Sequence, residues 1–443
     1  MLLLTLVLLC HCKKEGELKV DISDNNFLNA LIGQGADKNG DGIISTDEAK
    51  MIYFLDVSGK NISTLTGIEA FVNLIYLGCN NNQLNTLDLS HNTVLDSLCC
   101  DQNQLTTLNL SKNIQLTYLS CWGNKLTSLD LTKNIELKVL NCPENQLTSL
   151  DLRKNTKLRG TLNCGGNQLT SLDVTQNTEL TQLDCWANKL TSLDVTKNTE
   201  LTYLDCPANQ ITSLDLTKNV KLTYLNCWSN KVTNLDFSNN IALTDLNCEL
   251  NQLTTLDVSN CTVLEYLDCM ENKLTTLDVS HNSDLVSLSC GGNQLVNLNV
   301  SNNTYLSYLS CEGTQLANLD VSNNTALWTL WCGRNQLTAL DVSFNTELRF
   351  LQCHNNQLTS LDVANLLKLR ILICSGNQLT SLDISKNSNL GPGEGYLSGC
   401  YLGINNMPSL GKVCVWTVPF PPDGVTVETT GSPNVFFTKD CIK

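Results

Sequence analysis

The sequence is dominated by one 21-residue pattern that repeats from Leu74 to Leu390 with little change. Its clearest copy runs from Leu201 to Lys221, and the next copy begins at Leu222. A period of roughly 20 to 50 residues indicates a solenoid, because one such unit buries its apolar face only by stacking on its neighbours. The period therefore predicts the fold class, a repeat solenoid.

The cysteines show how strictly the period is kept. They stand 21 residues apart, and one extra residue separates Cys142 from Cys164. The positions are Cys79, Cys100, Cys121, Cys142, Cys164, Cys185, Cys206, Cys227, Cys248, Cys269, Cys290, Cys311, Cys332, Cys353 and Cys374. Neighbouring parallel strands hold Cβ atoms about 4.8 Å apart, farther than the roughly 3.8 Å of a disulfide. We predict a column of buried thiols and not a metal or redox ladder, which would need histidine or carboxylate partners.

The repeat unit reads L-x-x-L-x-C-x-x-N-x-L-x-x-L-D-V-x-x-N-x-x. Its first half matches the leucine-rich repeat signature, with cysteine at an inward position usually held by leucine. The second half partly repeats the first, and this nested form resembles the bacterial IRREKO subfamily. The segment from Leu55 to Phe71 resembles the opening repeat of internalin-type proteins. The resemblance implies a solenoid over residues 55–390, with parallel β-strands stacked along a concave face.

A calcium-loop motif precedes the repeats. Residues Asp37 to Glu48 match D-x-[DN]-x-[DN]-G-x5-E at every required position. The predicted oxygen ligands are Asp37, Asn39, Asp41, the carbonyl of Ile43, Ser45 through a water, and Glu48. We predict that residues 23–54 form a small helical, EF-hand-like segment that binds calcium as a structural cofactor, with an exiting helix from Thr46 to Tyr53. The alternative is a turn rich in aspartate, asparagine and glycine that binds no metal.

The N-terminus indicates export. Residues Leu2 to Cys10 are an apolar run too short to span a bilayer and typical of a signal-peptide core. The following Cys12-Lys-Lys-Glu resembles the start of mature bacterial lipoproteins of the Bacteroidota type. This resemblance implies a signal over residues 1–12, lipidation of Cys12 and a tether over residues 13–22. The alternative is a plain cleaved signal peptide, and the predicted location is the outer membrane, the cell surface or the exterior.

Aromatic residues recur beside the inward leucine and cysteine, where the repeat pattern places the concave face. They are Tyr118, Trp122, Trp186, Tyr203, Tyr224, Trp228, Tyr266, Tyr308, Trp331 and Phe350. Their polar companions are Asp184, Asp205, Asp268, Glu312, Arg334 and His354. Exposed aromatic side chains are frequent interface anchors, so we predict that this face binds a protein or glycan ligand. The alternative is that the aromatics only pack on one another along the stack.

Two polar columns follow the same period. The aspartate of L-D-V recurs from Asp130 to Asp383, and we expect each carboxylate to accept hydrogen bonds within its own turn. The alternative is a row of weak calcium sites. An asparagine column, exemplified by Asn209 and Asn251, is predicted to bond backbone groups of adjacent coils. Thr314 interrupts it and predicts a local weak point.

Composition narrows the function classes. The net charge of −15 argues against nucleic acid or an anionic membrane as partner, leaving the N-terminal lipid as the membrane contact. The four histidines are scattered, and no nucleophile, zinc or phosphate motif appears, so we do not predict an enzyme. The sequence favours an exported, lipid-anchored, monomeric adhesion or interaction protein. The alternative is a structural surface spacer, stabilised by calcium, with no specific ligand.

The repeat period ends after Leu390. Residues 391–443 resemble the C-terminal cap of related Bacteroidota repeat proteins, which implies a β-rich cap. Within it we propose a disulfide between Cys414 and Cys441, although the sequence does not determine the pairing of Cys400.

Overall fold

The computed structural model describes residues 18–391 and 401–441, which fall into two compact units that meet between Leu169 and Thr170. The predicted signal peptide, the lipid acceptor Cys12, most of the tether and Cys400 lie outside the described residues.

The first unit begins with two short helices, α1 (Asn25–Gly33) and α2 (Thr46–Lys50). The Asp24 side chain caps α1, and Ser45 and Glu48 form a reciprocal capping box at the start of α2. The exiting helix was expected to reach Tyr53. It is shorter because the chain is extended by residue 54, where the first strand begins.

The rest of the first unit is a coil of three-residue strands with a short 3-10 helix (Ile68–Ala70) in the first turn. The strands are β1 (Phe54–Asp56), β2 (Tyr76–Gly78), β3 (Ser97–Cys99), β4 (Tyr118–Ser120), β5 (Val139–Asn141) and β6 (Thr161–Asn163). Each pairs in parallel with the next, and the central leucines align, as Leu77 does with Leu98. This confirms the predicted parallel-strand solenoid.

The second unit repeats the same coil. Its regular strands are β7 (Gln182–Asp184), β8 (Tyr203–Asp205), β9 (Tyr224–Asn226), β10 (Asp245–Asn247), β11 (Tyr266–Asp268), β12 (Ser287–Ser289), β13 (Tyr308–Ser310), β14 (Thr329–Trp331), β15 (Phe350–Gln352) and β16 (Ile371–Ile373). They also pair consecutively and in parallel, with leucine opposite leucine. The identical register places equivalent side chains of successive coils in columns.

The core consists of these columns. In one coil, Leu201, Leu204, Cys206, Ile211 and Leu214 are all buried. Every cysteine of the periodic column is buried, and no disulfide joins any two of them. This agrees with the predicted packing of the thiols as small apolar groups.

The asparagine column forms a hydrogen-bond ladder. The Nδ2 of Asn230 donates to the carbonyls of Cys206 in the preceding coil and Cys227 in its own coil, each at 3.0 Å. Its Oδ1 accepts the amide of Ile211 at 3.0 Å. One side chain thus satisfies backbone groups of two coils that a core would otherwise bury unpaired, as the sequence predicted.

A second buried ladder was not predicted, although the last asparagine of the repeat unit signals it. Its members are Asn92, Asn113, Asn134, Asn155, Asn177, Asn198, Asn219, Asn240, Asn282, Asn303, Asn324, Asn345 and Asn387. Asn219 shows the pattern, because its Nδ2 donates to the carbonyls of Val195 (3.0 Å) and Asn198 (2.9 Å). The two ladders tie successive coils together at opposite ends of each repeat.

Thr314 breaks the first ladder. Its hydroxyl lies 3.0 Å from the Cys311 carbonyl and 2.6 Å from Asn335 Oδ1. Among the bonds of the described residues, none runs to Thr314 from the amide of Leu295, which an asparagine at this position would accept. We expect Thr314→Asn to restore that bond and raise the free energy of unfolding by about 1 to 3 kcal/mol. Hydrogen exchange at Leu295 and urea unfolding will test this, with the exposed Gln315→Ala as control. Unchanged exchange at Leu295 in the Asn variant would contradict it.

The coil continues after the sequence period ends. Strands β18 (Leu402–Gly403) and β20 (Val427–Glu428) extend the main sheet beyond β16. Strands β17 (Ser381–Asp383), β19 (Lys412–Cys414) and β21 (Phe436–Thr438) form a second, three-stranded parallel sheet. A disulfide joins Cys414 and Cys441, whose Cα atoms are 5.7 Å apart. The role of this region as a cap stays a prediction.

Candidate binding surface and calcium loop

Each coil presents a short row of outward residues on its strand side. Around β8 these are the positions of Tyr203 and Asp205, both half-buried, and of Pro207, which follows the strand and is itself buried; they alternate with the buried Leu204 and Cys206. We call the columns formed by these outward positions the sheet face. All ten aromatic residues predicted for the binding face occupy it, Tyr118 and Trp122 in the first unit and the other eight in the second.

The predicted aromatics differ in exposure. Trp122 and Trp228 are each 37% exposed and Tyr266 is 47% exposed, whereas the others are more buried. Three side chains therefore present large apolar surfaces to solvent, while the rest are shielded by their neighbours.

Some of the shielding comes from ring packing between adjacent coils. The rings of Tyr203 and Tyr224 stack in parallel, with centroids 4.3 Å apart. Tyr308 meets Trp331 edge to face at 5.4 Å, and Phe350 meets Trp328 in the same way at 5.9 Å. The self-packing alternative thus accounts for part of the column. Trp328 was not predicted on this face because it precedes β14 by one residue.

Carboxylates are interspersed with aromatics over β7 to β11. We call this region the acidic patch, and it comprises Asp184, Asp205, Asp245, Glu249 and Asp268 with Trp186, Tyr203, Tyr224, Trp228 and Tyr266. Burial raises the pKa of Asp205 and of Asp268, and burial together with Asp268 and Glu271 raises that of Glu249. The patch is therefore a region of negative potential whose charges are poorly solvated.

Asp184 is the most strongly affected carboxylate. Burial, followed by repulsion from Asp205 on the next strand, raises the pKa of Asp184 to about 6. Since the unfolded value is about 3.9, folding favours the protonated form, and this stability is lost as pH rises from about 4 to about 6. Asp184→Asn should therefore raise the free energy of unfolding at pH 7 by about 2 kcal/mol and leave it unchanged at pH 4. Urea titrations at both pH values test this, and an equal effect at both would contradict it.

Basic side chains lie beside the sheet face farther along the second unit. Glu312 Oε1 lies 3.4 Å from both Arg334 Nε and His354 Nε2. Arg349 and Arg370 immediately precede β15 and β16. The predicted polar companions thus divide into an acidic group on β7 to β11 and an ion-paired group on β13 to β15.

The predicted calcium loop has its carboxylates bound to backbone amides. Asp37 accepts the amides of Gly40 (2.7 Å) and Gly42 (2.9 Å), and Asp41 accepts that of Ile43 (2.9 Å). Gly40 and Gly42 have φ of 76° and 77°, the left-handed region in which glycine is unstrained. The loop is therefore a closed turn in which the carboxylates of Asp37 and Asp41 accept hydrogen bonds from its own backbone.

Glu48 is buried at the base of this loop. It accepts the amides of Lys38 (2.7 Å) and Asn39 (3.2 Å) with one oxygen, and the amide and hydroxyl of Ser45 (both 2.9 Å) with the other. Burial alone would raise the pKa of Glu48, but these bonds outweigh it and lower the pKa. Among the described residues, no lysine or arginine pairs with Glu48 or with Asp37.

The donor set fits calcium in its chemistry, because it offers carboxylate, amide, hydroxyl and carbonyl oxygens in the required order. The carboxylates of Asp37, Asp41 and Glu48 do not all come within 4.8 Å of one another. In the described ranges the one such convergent group is Asp383 with Cys414 and Cys441, and the disulfide between these cysteines removes their capacity to ligate metal.

The loop is anchored on both sides. The amide of Val20 donates to the carbonyl of Ile44 at 2.8 Å, so the chain before α1 pairs antiparallel with the loop. On the other side, Asp24 accepts both the amide and the hydroxyl of Ser63 at 2.7 Å. The segment therefore has a fixed position on the first coil.

Similarity to known proteins comes from solved structures. No protein-family model and no curated protein sequence matches this chain. A solved structure does, the functional domain of InlJ from Listeria monocytogenes, which is described as including a cysteine ladder. The identity is 41% and the TM-score 0.67, over 79% of this chain and 72% of that one. The chain belongs to the internalin-like leucine-rich repeat proteins.

Two further structures share the fold of this internalin-like protein at lower identity. The internalin InlF of Listeria monocytogenes is 24% identical with a TM-score of 0.54, over 78% of this chain and 94% of that one. The plant peptide hormone receptor RGFR1, in complex with RGF2, is 16% identical with a TM-score of 0.61, over 85% and 72% of the respective chains. The cysteine column found here has its counterpart in the InlJ ladder.

The aspartate column of this internalin-like protein has a local role. Asp215 Oδ1 accepts the amide and the hydroxyl of Thr217 at 3.0 and 2.7 Å, and other members repeat this turn. Asn109 and Asn299 occupy the same position and accept the same amide bond. The predicted local hydrogen bonding is confirmed, and the column needs no metal to satisfy it.

Neither α1 nor α2, nor any other helix within residues 18–391 and 401–441, has the length and apolar character needed to cross a membrane.

Proposed function

We propose that this internalin-like protein binds a protein partner through the sheet face of its second unit. The observation that carries the proposal is the exposed aromatic surface of Trp228 and Tyr266 among half-buried carboxylates on a regular sheet. Tryptophan and tyrosine anchor many protein interfaces, because they bury large areas with few rotatable bonds. RGFR1, which shares the fold, holds the peptide RGF2, so the fold can serve as a receptor.

The test removes two tryptophan side chains of the sheet face, Trp186 and the exposed Trp228. We expect Trp186→Ala combined with Trp228→Ala to abolish capture of ligands from arrays of surface proteins and of glycans. The matched control combines Ile241→Ala and Tyr305→Ala, which remove exposed apolar groups away from the sheet face. Binding that survives the tryptophan substitutions would refute the proposal, and a hit among the glycans would replace the protein partner with a glycan.

The structural spacer remains a second candidate. It is favoured by the stacked pair of Tyr203 and Tyr224 and by the pair of Tyr308 and Trp331, since rings satisfied by one another need no ligand. If the wild-type protein bound nothing on either the protein array or the glycan array, the spacer function would be favoured.

We further propose that residues Asp37 to Glu48 bind one calcium ion. The ligands would be Asp37, Asn39, Asp41, the Ile43 carbonyl, Ser45 and Glu48, as the spacing predicts. A bound ion would supply positive charge to three carboxylates that have no basic partner in the described chain. Support comes from the donor set and from the bonds that fix the segment to the first coil, which suit a structural role.

Export with lipidation of Cys12 is a proposal that rests on sequence alone. A clickable palmitate analogue fed to expressing cells should label the wild-type protein and leave Cys12→Ala unlabelled. Equal labelling would refute lipidation at this residue, and an unlabelled wild type would favour simple secretion.

A further inference from the structure

The acidic patch carries aspartates at positions where the fold also accepts asparagine. Its central column holds Asp184 and Asp205 on β7 and β8, Asn226 and Asn247 on β9 and β10, and Asp268 on β11. The asparagines occupy equivalent positions on neighbouring strands, so a neutral amide of the same shape fits this site. The charged carboxylates therefore lower the stability of the folded state, because burial disfavours their ionised form and raises their pKa values.

The chain does not neutralise these charges itself. No lysine or arginine occupies the sheet face between β7 and β11. Of the lysines in these coils, Lys221 pairs with Glu200 at 2.5 Å and Lys231 donates to Gln210 at 3.1 Å, both outside the sheet face. The described contacts of Asp205 and Asp268 are bonds from Asn226 (2.8 Å) and from the amide of Met270 (3.1 Å), which are neutral donors.

The aromatics lie within the same strands as the carboxylates. Tyr203 and Asp205 share β8, and Tyr266 and Asp268 share β11, with one buried leucine between the ring and the carboxylate in each case. Trp228, 37% exposed, lies one coil before Glu249. A cation placed between them would meet a carboxylate on one side and a π face on the other, a combination that favours guanidinium over ammonium.

We propose that the acidic patch binds an extended, arginine-rich segment of a partner protein. This inference rests on the proposed function and specifies its partner. The strands from β7 to β11 span about 20 Å at the usual spacing, a distance that about six extended residues cover. Guanidinium groups on such a segment match the charge of the patch and stack on its rings, so charge complementarity selects the occupant.

A labelled peptide of alternating arginine and serine provides the probe, with alternating lysine and serine for comparison. We expect the arginine peptide to bind wild-type protein with salt-sensitive affinity and more tightly than the lysine peptide. The variant Asp205→Asn, Glu249→Gln, Asp268→Asn should weaken the arginine peptide at least about tenfold. Equal affinity of this variant and the wild type, or no binding to either, would overturn the proposal.

The matched control removes the same charge elsewhere. Asp215→Asn, Asp236→Asn and Asp257→Asn act on the aspartate column, where Asn109 and Asn299 show that asparagine is accepted. This variant should keep wild-type affinity, and an equal loss would show attraction by net charge alone and overturn the proposal. The two sets of variants distinguish failure of the arginine-rich partner from failure of the proposed function. A natural ligand that is lost with Trp186→Ala and Trp228→Ala but kept by the acidic-patch variant would uphold the proposed function and refute the arginine-rich partner.

Discussion

Asn251→Ala is expected to lower the free energy of unfolding of the second unit by about 3 to 5 kcal/mol. The side chain donates to the carbonyls of Cys227 (3.0 Å) and Cys248 (3.1 Å) and accepts the amide of Val232 (3.0 Å). All of these groups are buried, so alanine leaves the Val232 amide without its acceptor in the core. It also removes one of the two asparagine bonds to each carbonyl, since Asn230 still donates to Cys227 and Asn272 to Cys248. Urea unfolding, read together with hydrogen exchange at Val232, measures the loss.

The neighbouring Gln252 provides the control for this substitution. Its side chain is exposed, so Gln252→Ala should change the unfolding free energy by less than about 0.5 kcal/mol. Asn251→Thr recreates the situation of Thr314 and should lose less stability than Asn251→Ala. If alanine at 251 cost no more than alanine at 252, the ladder would not be the source of inter-coil stability.

Glu48→Gln is expected to weaken calcium binding at least about tenfold, or roughly 1.4 kcal/mol. The amide keeps the size of the side chain and can still serve the capping box at Ser45, so α2 should remain folded. It removes the negative charge and one of the two oxygens predicted to hold the ion. Isothermal calorimetry with calcium chloride, supported by melting curves in calcium and in EGTA, provides the measurement.

A substitution at the adjacent Asp47 distinguishes the loss of a calcium ligand from the loss of one negative charge. Its carboxylate is exposed and pairs with Lys50 at 3.0 Å, outside the predicted ligand set. Asp47→Asn should therefore leave calcium binding within about twofold of the wild type. Equal heats from the wild type and Glu48→Gln, or an absence of calcium heat in both, would refute the site.

The strict period explains why so much of the fold was predictable. Leucine and cysteine at fixed spacing determine which side chains enter the core, and stacking then aligns Leu204 with Leu225 without further information. The first asparagine ladder was predicted for the same reason. The second ladder was equally periodic but was overlooked because the repeat signature assigns a role to only one asparagine.

Features that depend on neighbouring coils could not be read from one repeat. The burial of Asp184 and its repulsion from Asp205 arise only when β7 lies beside β8. Ring pairing likewise depends on which rotamers adjacent coils permit, as for Tyr203 and Tyr224. The sequence did not predict that the solenoid continues after residue 400. There Ile404 and Met407 occupy the positions of the periodic cysteine and asparagine, so the repeat pattern is no longer visible.

The asparagine ladders also determine how such a chain would respond to a pulling force. Asn230 bonds to the coil before it, so each coil is fastened to its neighbour by a separate and nearly identical set of bonds. Tension applied to one end would peel coils away singly, each releasing about 70 Å of extended chain. An extension trace should then show evenly spaced rupture events, with a weaker one where Thr314 interrupts the ladder. The solenoid would in this way lengthen in small steps under load and dissipate mechanical energy at each step.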